Sequence, residues 1–362
     1  MELSQASRQW SSRPSDERFT SLTALDAAVR ACRSNSAAKV VSTRSISAAP
    51  VEGDSRALAL VGPSGAAVTP TNWAFGQLAV RAGAPAGYLR TLPAAMAADC
   101  INYGLERSPI DDIGILLHKT AAGSSEIRAI TGPNYGRVWN QAITGALVDR
   151  FGDGLTGQFR VPGEFGQDVE ITQENTTLYA SDRDMFVFLA DEKNRIEVPN
   201  RRNGQTGAMA RGFFVWNSEV GAQTLGISTF LFDYVCCNRI VWGAENVTEL
   251  RVRHTSSAPD RWIHEITPAL EAYAESSTLS ITSAIAAAQQ AKLDNVDEFL
   301  SRRFTRGQVS AIKAAHLADE DRPIETIWDA VTGATAYARA IEYQDDRVKI
   351  ERDAGKLLDL AA

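Results

Sequence analysis

Along this chain the spacing of apolar positions changes character three times. Residues 1–20 are polar and rich in Ser and Arg, with Pro14 and no period, which predicts a mobile lead-in. Leu22, Leu25, Ala28 and Val29 fall at helical spacing, so a helix is expected over 21–32 with Ser21 or Thr23 as its cap. Alternation over 39–47 and the apolar run 57–61 predict strands. Three helices should follow, at 71–82 (Trp73, Phe75, Leu78, Ala79), from Pro85 onward (Tyr88, Leu89, Leu92), and at 93–105.

The middle of the chain reads as strands. The runs 113–119 and 126–131 flank a turn at 121–125 and predict a hairpin. Trp139, Ile143, Leu147 and Phe151 recur every four residues, the apolar face of a helix. Further strands are predicted at 177–180, 185–190, 212–216, within 225–241 and at 250–254. Phe214 and Trp216 would share one strand face and Phe213 the other. Residues 200–210 contain two glycines and two arginines and read as a long loop, of the kind that is functional or disordered. From Trp262 the pattern turns helical, with helices at 263–293, 294–303, 305–318, 323–341 and 342–360. Thr305 and Gln308 form a capping-box pair.

The expected fold class is therefore α+β: an antiparallel-rich mixed sheet with packed helices and a helical C-terminal region. The expected organisation is a lead at 1–20, a core domain at 21–261 and a helical region at 262–362. No fixed-period repeat is visible, which argues against a solenoid.

Composition narrows the functional classes. No apolar run approaches the ~20 residues of a membrane helix, and the N-terminus lacks the basic and apolar regions of a secretory signal. Cys32, Cys100, Cys236 and Cys237 are not spaced for zinc and fit a reducing cytoplasm. The net charge is −7, yet 195–261 carries eight arginines against six acids, while 262–362 carries 11 basic against 17 acidic residues. A local basic groove is compatible with that total, because nucleic acid responds to the nearby field.

Four strings occur in order and resemble one family. GFFVWNSEVGA (212–222), continuing to LGISTFL (225–231) and VCCNRIVWG (235–243), is similar to the central signature of the phage/plasmid-like protein family. RAITGPNYG (128–136), DRDMFV (182–187) and WDAVTGAT (328–335) resemble its other segments. The resemblance covers 113–360 and implies a protein of a mobile genetic element. It implies no reaction.

Catalytic constellations are absent from the sequence pattern. There is no GxSxG elbow, no HExxH, and the Gly62-Pro-Ser-Gly-Ala turn lacks the Gly-Lys-Ser/Thr end of a phosphate loop. His118, ending an apolar strand, reads as structural. The acid pairs Asp111/Asp112 and Asp182/Asp184 could hold magnesium or stand as solvated strand edges. No metal or cofactor is expected, and the chain reads as a binding protein rather than an enzyme. A single strand of nucleic acid is held by cations along its backbone and aromatic faces under its bases. Arg201, Arg202 and Arg211 on or beside the 200–210 loop, with Arg128, Arg137 and Tyr135 around the Gly-Pro-Asn-Tyr-Gly turn, supply both ingredients. The alternative for these residues is a solvated loop and a Tyr135 packed on Trp139. The leading expectation is single-stranded DNA binding or annealing by a cytoplasmic homo-oligomer. The competing ones are a structural or protein-interaction component acting through the acidic tail, and a magnesium-dependent nuclease using Asp182 and Asp184.

Overall fold

A computed structural model describes residues 14–162, 170–199, 201, 204, 206–233, 238–240, 249–341 and 344–361. The fold is α+β, built on two sheets rather than one. The chain opens with the two-residue strand β1 (Arg18–Phe19) and helix α1 (Leu22–Ser34), whose Ser21 side chain accepts the Ala24 N–H at 3.1 Å. β1 pairs with a strand 160 residues downstream, so 14–19 are built into the fold and only 1–13 of the expected lead lie outside the described residues.

The smaller sheet comprises β2 (Ser36–Ser42), β3 (Ser47–Pro50), β4 (Leu58–Val61), β5 (Ala67–Pro70), β6 (Asp112–Lys119) and β7 (Ser125–Thr131), in the order β2-β6-β7-β5-β4-β3. β5 and β7 are parallel and the other pairs antiparallel. The alternation predicted over 39–47 is divided between β2 and β3, because a 3₁₀ turn at Thr43–Ser45 intervenes. Helices α2 (Asn72–Arg81), α3 (Ala86–Leu89) and α4 (Ala94–Glu106) cover one face, where Leu78, Ile101, Ile113 and Ile130 form the core. α2 starts where Thr71 accepts the Ala74 N–H at 3.2 Å.

After α5 (Asn140–Phe151) come the strands of the larger sheet: β8 (Phe159–Arg160), β9 (Leu178–Ala180), β10 (Met185–Asp191), β11 (Ile196–Val198), β12 (Gly207–Asn217), β13 (Leu225–Asp233), β14 (Asn238–Ile240) and β15 (Glu249–Val252). All its pairings are antiparallel around the central β10-β12-β13 meander. Val187, Phe213 and Val215 face α1, α5 and the next helix, α6 (Ala258–Glu275). Phe186, Phe214 and Trp216 line the opposite face, as the period of two requires.

The remaining helices are α7 (Leu279–Gln290), α8 (Val296–Ser301), α9 (Arg306–Glu320), α10 (Ile327–Arg339) and α11 (Gln344–Leu358). They share a core with Ile196, Val198, Met209 and Leu231 of the large sheet. The position expected as a boundary, 261/262, falls inside α6, which packs on that sheet with Trp262, Ile266 and Leu270. The capping box of α9 forms as read from Thr305 and Gln308, and a second one, Thr326 with Asp329, starts α10.

Candidate nucleic-acid interface

Of the six residues read as phosphate- and base-contacting, five are described: Arg128, Arg137 and Tyr135 meet at one hairpin, Arg201 and Arg211 lie apart from it, and the five form no exposed cluster. Arg211, in the middle of β12, is 3% exposed, and its Nε donates to Asp191 Oδ2 at 3.0 Å. Its two terminal nitrogens donate to the Tyr273 and Ala274 carbonyls, each at 3.1 Å. A cation on the last carbonyls is a favourable helix C-terminus. It explains why the helix predicted over 263–293 ends at Glu275 and resumes as α7. Residues 207–210 are strand as well, 207–209 paired with β11 and 209–210 with β13, so the expected loop is shorter than its composition implied.

Arg201 is 1% exposed and paired with Glu320 of α9, Nε to Oε1 at 2.8 Å. Arg128, in β7, donates to Glu219 Oε2 at 3.2 Å, both side chains being buried. Arg137 is half-buried and donates to the Glu219 carbonyl. Tyr135 is held by its hydroxyl, which donates to the Ser218 carbonyl at 2.8 Å, and its ring stacks on His254 at 4.8 Å rather than on Trp139. Burial pushes the Tyr135 hydroxyl pKa up, so the group stays a donor. Arg202 lies outside the described residues, as do Cys236, Cys237 and Trp242. A phosphate could reach Arg128, Arg201 or Arg211 only by displacing a buried carboxylate, so the expectation for these three is corrected: they are structural anchors.

Arg128, Arg137 and Tyr135 converge on the hairpin between β12 and β13. Glu219 at its tip receives Arg128 on one oxygen and the Asn140 N–H, at 2.9 Å, on the other. It thereby caps α5, whose own N-cap residue Trp139 makes no side-chain cap bond. The next carbonyl, Val220, accepts the Trp73 indole N–H at 3.1 Å and the Gln77 amide at 2.8 Å. Gln77 in turn accepts the Ile130 N–H at 2.8 Å. Helix α2 is thus fastened between the two sheets by its polar side chains.

The outer face of α2 is where the surface is concave. Three adjoining depressions of about 390, 300 and 220 Å³ share Asn72 and Arg90, or Gln77 and Val80, along this helix. Trp73, Gly76, Gln77 and Val80 recur at i, i+3, i+4 and i+7, a second helical stripe opposite the buried Ala74, Leu78 and Ala79. Val80 is 74% exposed. Arg56, Arg81, Arg90 and Arg183 line the groove, against one acid, Asp182. Among the described residues no carboxylate pairs with Arg56, Arg81 or Arg90. Arg90 is fixed by Asn72, donating to its Oδ1 at 3.1 Å and its carbonyl at 3.0 Å, and lies 5.0 Å over the Phe75 ring. Arg183 lies 5.8 Å over the Trp73 ring.

The groove's arginines are not legible in the sequence because they come from the segment after β3, the last residue of α2 and the segments after α3 and β9, with no local cluster. The one local signal was the exposed stripe on α2, an apolar pair (Trp73, Val80) on the side opposite the core stripe. Of the two acid pairs that could hold magnesium, Asp111 and Asp112 are both exposed, and the other pair is split: Asp182 is exposed, whereas Asp184 is buried and accepts from Ser181 Oγ at 2.8 Å and Gln223 Nε2 at 3.2 Å. Among the described residues no group of three or more His, Cys, Asp and Glu could hold a metal ion. His118 shares a 3.2 Å hydrogen bond with Ser36 Oγ. No described helix is long and apolar enough to cross a membrane. No protein-family model, curated protein or solved structure matches this chain.

Proposed function

We propose that the chain is a non-catalytic nucleic-acid-binding protein that holds a single strand in the groove along α2, in the mobile-element setting its sequence resemblance implies. The observation that carries this reading is the groove itself, with four arginines against one acid and two half-buried rings, Trp73 and Phe75, beside the guanidiniums of Arg183 and Arg90. Phosphates respond to this local field even though the whole chain is acidic, since charges beyond about 8–10 Å are screened at physiological salt. The rings offer faces on which any base stacks, which favours a single strand over a duplex whose bases are already stacked.

Fluorescence anisotropy with a labelled dT oligonucleotide at two salt concentrations tests it. Binding should weaken with salt, and Arg90→Ala and Arg183→Ala should each lower the slope of log affinity against log salt by roughly 0.7. Arg302→Ala, in the acidic helical region, should leave it unchanged. Absence of binding at low salt overturns the proposal.

A further inference from the structure

Asp182 is the one acid among the residues lining a groove otherwise suited to anions. Its side chain is 54% exposed, and its closest cation, Arg183, stands 4.0 Å away, at the outer limit of an ion pair. A carboxylate placed there repels phosphate, so its use must lie with a ligand that offers hydrogen-bond donors.

The turn that presents it is rigid. Ser181 N–H donates to the Asp184 carbonyl at 2.8 Å, and Ser181 Oγ accepts the Arg183 and Asp184 N–H groups, each at 3.1 Å. The Asp182 carbonyl accepts from the buried Arg128 at 3.1 Å, and the Arg183 carbonyl from the buried Ser218 Oγ at 2.6 Å. With their backbone held from inside, the side chains of Asp182 and Arg183 line the 390 Å³ depression together with Trp73, Gln77 and Asn72. That volume lies in the roughly 300–1,000 Å³ range of small-ligand pockets.

An adjacent carboxylate and guanidinium present two acceptors beside two donors. Guanine is the base that matches. Its N1–H and N2–H₂ are neighbouring donors, and its O6 and N7 are neighbouring acceptors next to them. Thymine has a single donor between two acceptors, adenine likewise has its one amine between N1 and N7, and cytosine has one amine beside two acceptors, so none offers two neighbouring donors. Resting on the single-strand reading above, we infer that this depression reads guanine. Asp182 takes N1–H and N2–H, Arg183 donates to O6 and N7, and the Trp73 ring supplies an apolar wall.

The test compares labelled (dT-dG)₆ and (dT-dI)₆ in lithium buffer, since inosine lacks only the N2 amine, with wild type and Asp182→Asn. Wild type should bind the guanine probe about tenfold more tightly than the inosine probe, the value of the one hydrogen bond from the N2 amine to a charged carboxylate. In Asp182→Asn that ratio should fall toward one, with a thermal unfolding midpoint matching wild type. Oligo-dT that binds, with a wild-type ratio near one, overturns the guanine assignment and leaves the single-strand reading standing. Failure of every probe overturns both. A tenfold ratio that persists in Asp182→Asn removes Asp182 from the role. Competition by dGMP only in large excess supports a strand as the ligand, whereas dGMP binding as tightly as the oligonucleotide overturns it in favour of the free nucleotide.

Discussion

Replacing Glu219 by Ala should destabilise the protein more than any surface substitution, for reasons that can be worked out atom by atom. Arg128 and Glu219 are 4% and 3% exposed and 3.2 Å apart. Removing one partner of a buried pair leaves an uncompensated charge, which costs about 3–5 kcal/mol. The other Glu219 oxygen accepts the Asn140 N–H, and loss of a helix cap costs about 1 kcal/mol. The two effects share one side chain and need not add fully, so a loss of at least about 3 kcal/mol is expected. Glu219→Gln keeps an oxygen for Asn140 but turns its amide donors toward a guanidinium, so it should recover only the cap. The double variant Arg128→Met/Glu219→Leu removes both charges and should be more stable than Glu219→Ala. Urea denaturation followed by tryptophan fluorescence reads these differences as shifts of midpoint at constant slope. A Glu219→Ala loss below about 1 kcal/mol, or a double variant no better than the single one, would refute the buried-pair argument.

Other residues give separate outcomes. Arg201→Ala and Arg211→Ala each strand a buried acid, Glu320 or Asp191, and should cost about 3–5 kcal/mol in urea denaturation. Neither should change the salt slope of the proposed DNA binding, and a flattened slope in either would mean the guanidinium reaches a phosphate. Gly226 of β13 sits opposite Trp216, and a Cβ there would stand 2.2 Å from the indole. Gly226→Ala should therefore cost about 1–3 kcal/mol and alter the near-UV dichroism of Trp216, both of which are measurable directly. His316 is wholly buried among Asp329, Arg322, Glu320 and Arg201. Burial lowers its pKa against the raising effect of Asp329. The unfolded chain then takes the proton first as pH falls, so His316 contributes stability above about pH 6.5 that is lost progressively below it. His316→Asn should flatten the urea midpoint between pH 5 and 7, and a wild-type midpoint that rises on acidification would contradict the sign.

Most individual elements were legible because period alone sets them. The Trp139–Phe151 face, the strands at β6 and β7 and the Thr305 capping box needed only neighbours within four residues. What was not legible depended on distant partners. The break after α6 follows from Arg211, more than 60 residues away, binding the last carbonyls. Gly207 to Ala210 have loop composition but form strand because β11 and β13 flank them. The division into two sheets rests partly on the parallel β5–β7 pair, which closes over more than 50 residues and leaves no local mark. The arginines were misplaced for the same reason. A guanidinium read from sequence is a cation without an address, and only the fold supplies Glu219, Glu320 or Asp191 at 91, 119 and 20 residues' separation.

Buried Arg128 and the arginines of the groove nevertheless belong to one arrangement. Glu219 orients Arg128, Arg128 holds the Asp182 carbonyl, and the hairpin that carries Glu219 also anchors Trp73 and Gln77 through Val220. The internal ion pair therefore fixes the backbone under both walls of the groove without presenting charge to it. This makes the two kinds of substitution separable in one experiment. A change at Glu219 should weaken every probe together, in step with lost stability, because both walls shift. A change at Asp182, whose side chain bonds to nothing buried, should alter the preference among probes while stability stays put. A groove assembled by chance on an unrelated scaffold would show no such division, and the paired measurement of unfolding midpoint and probe preference distinguishes the two.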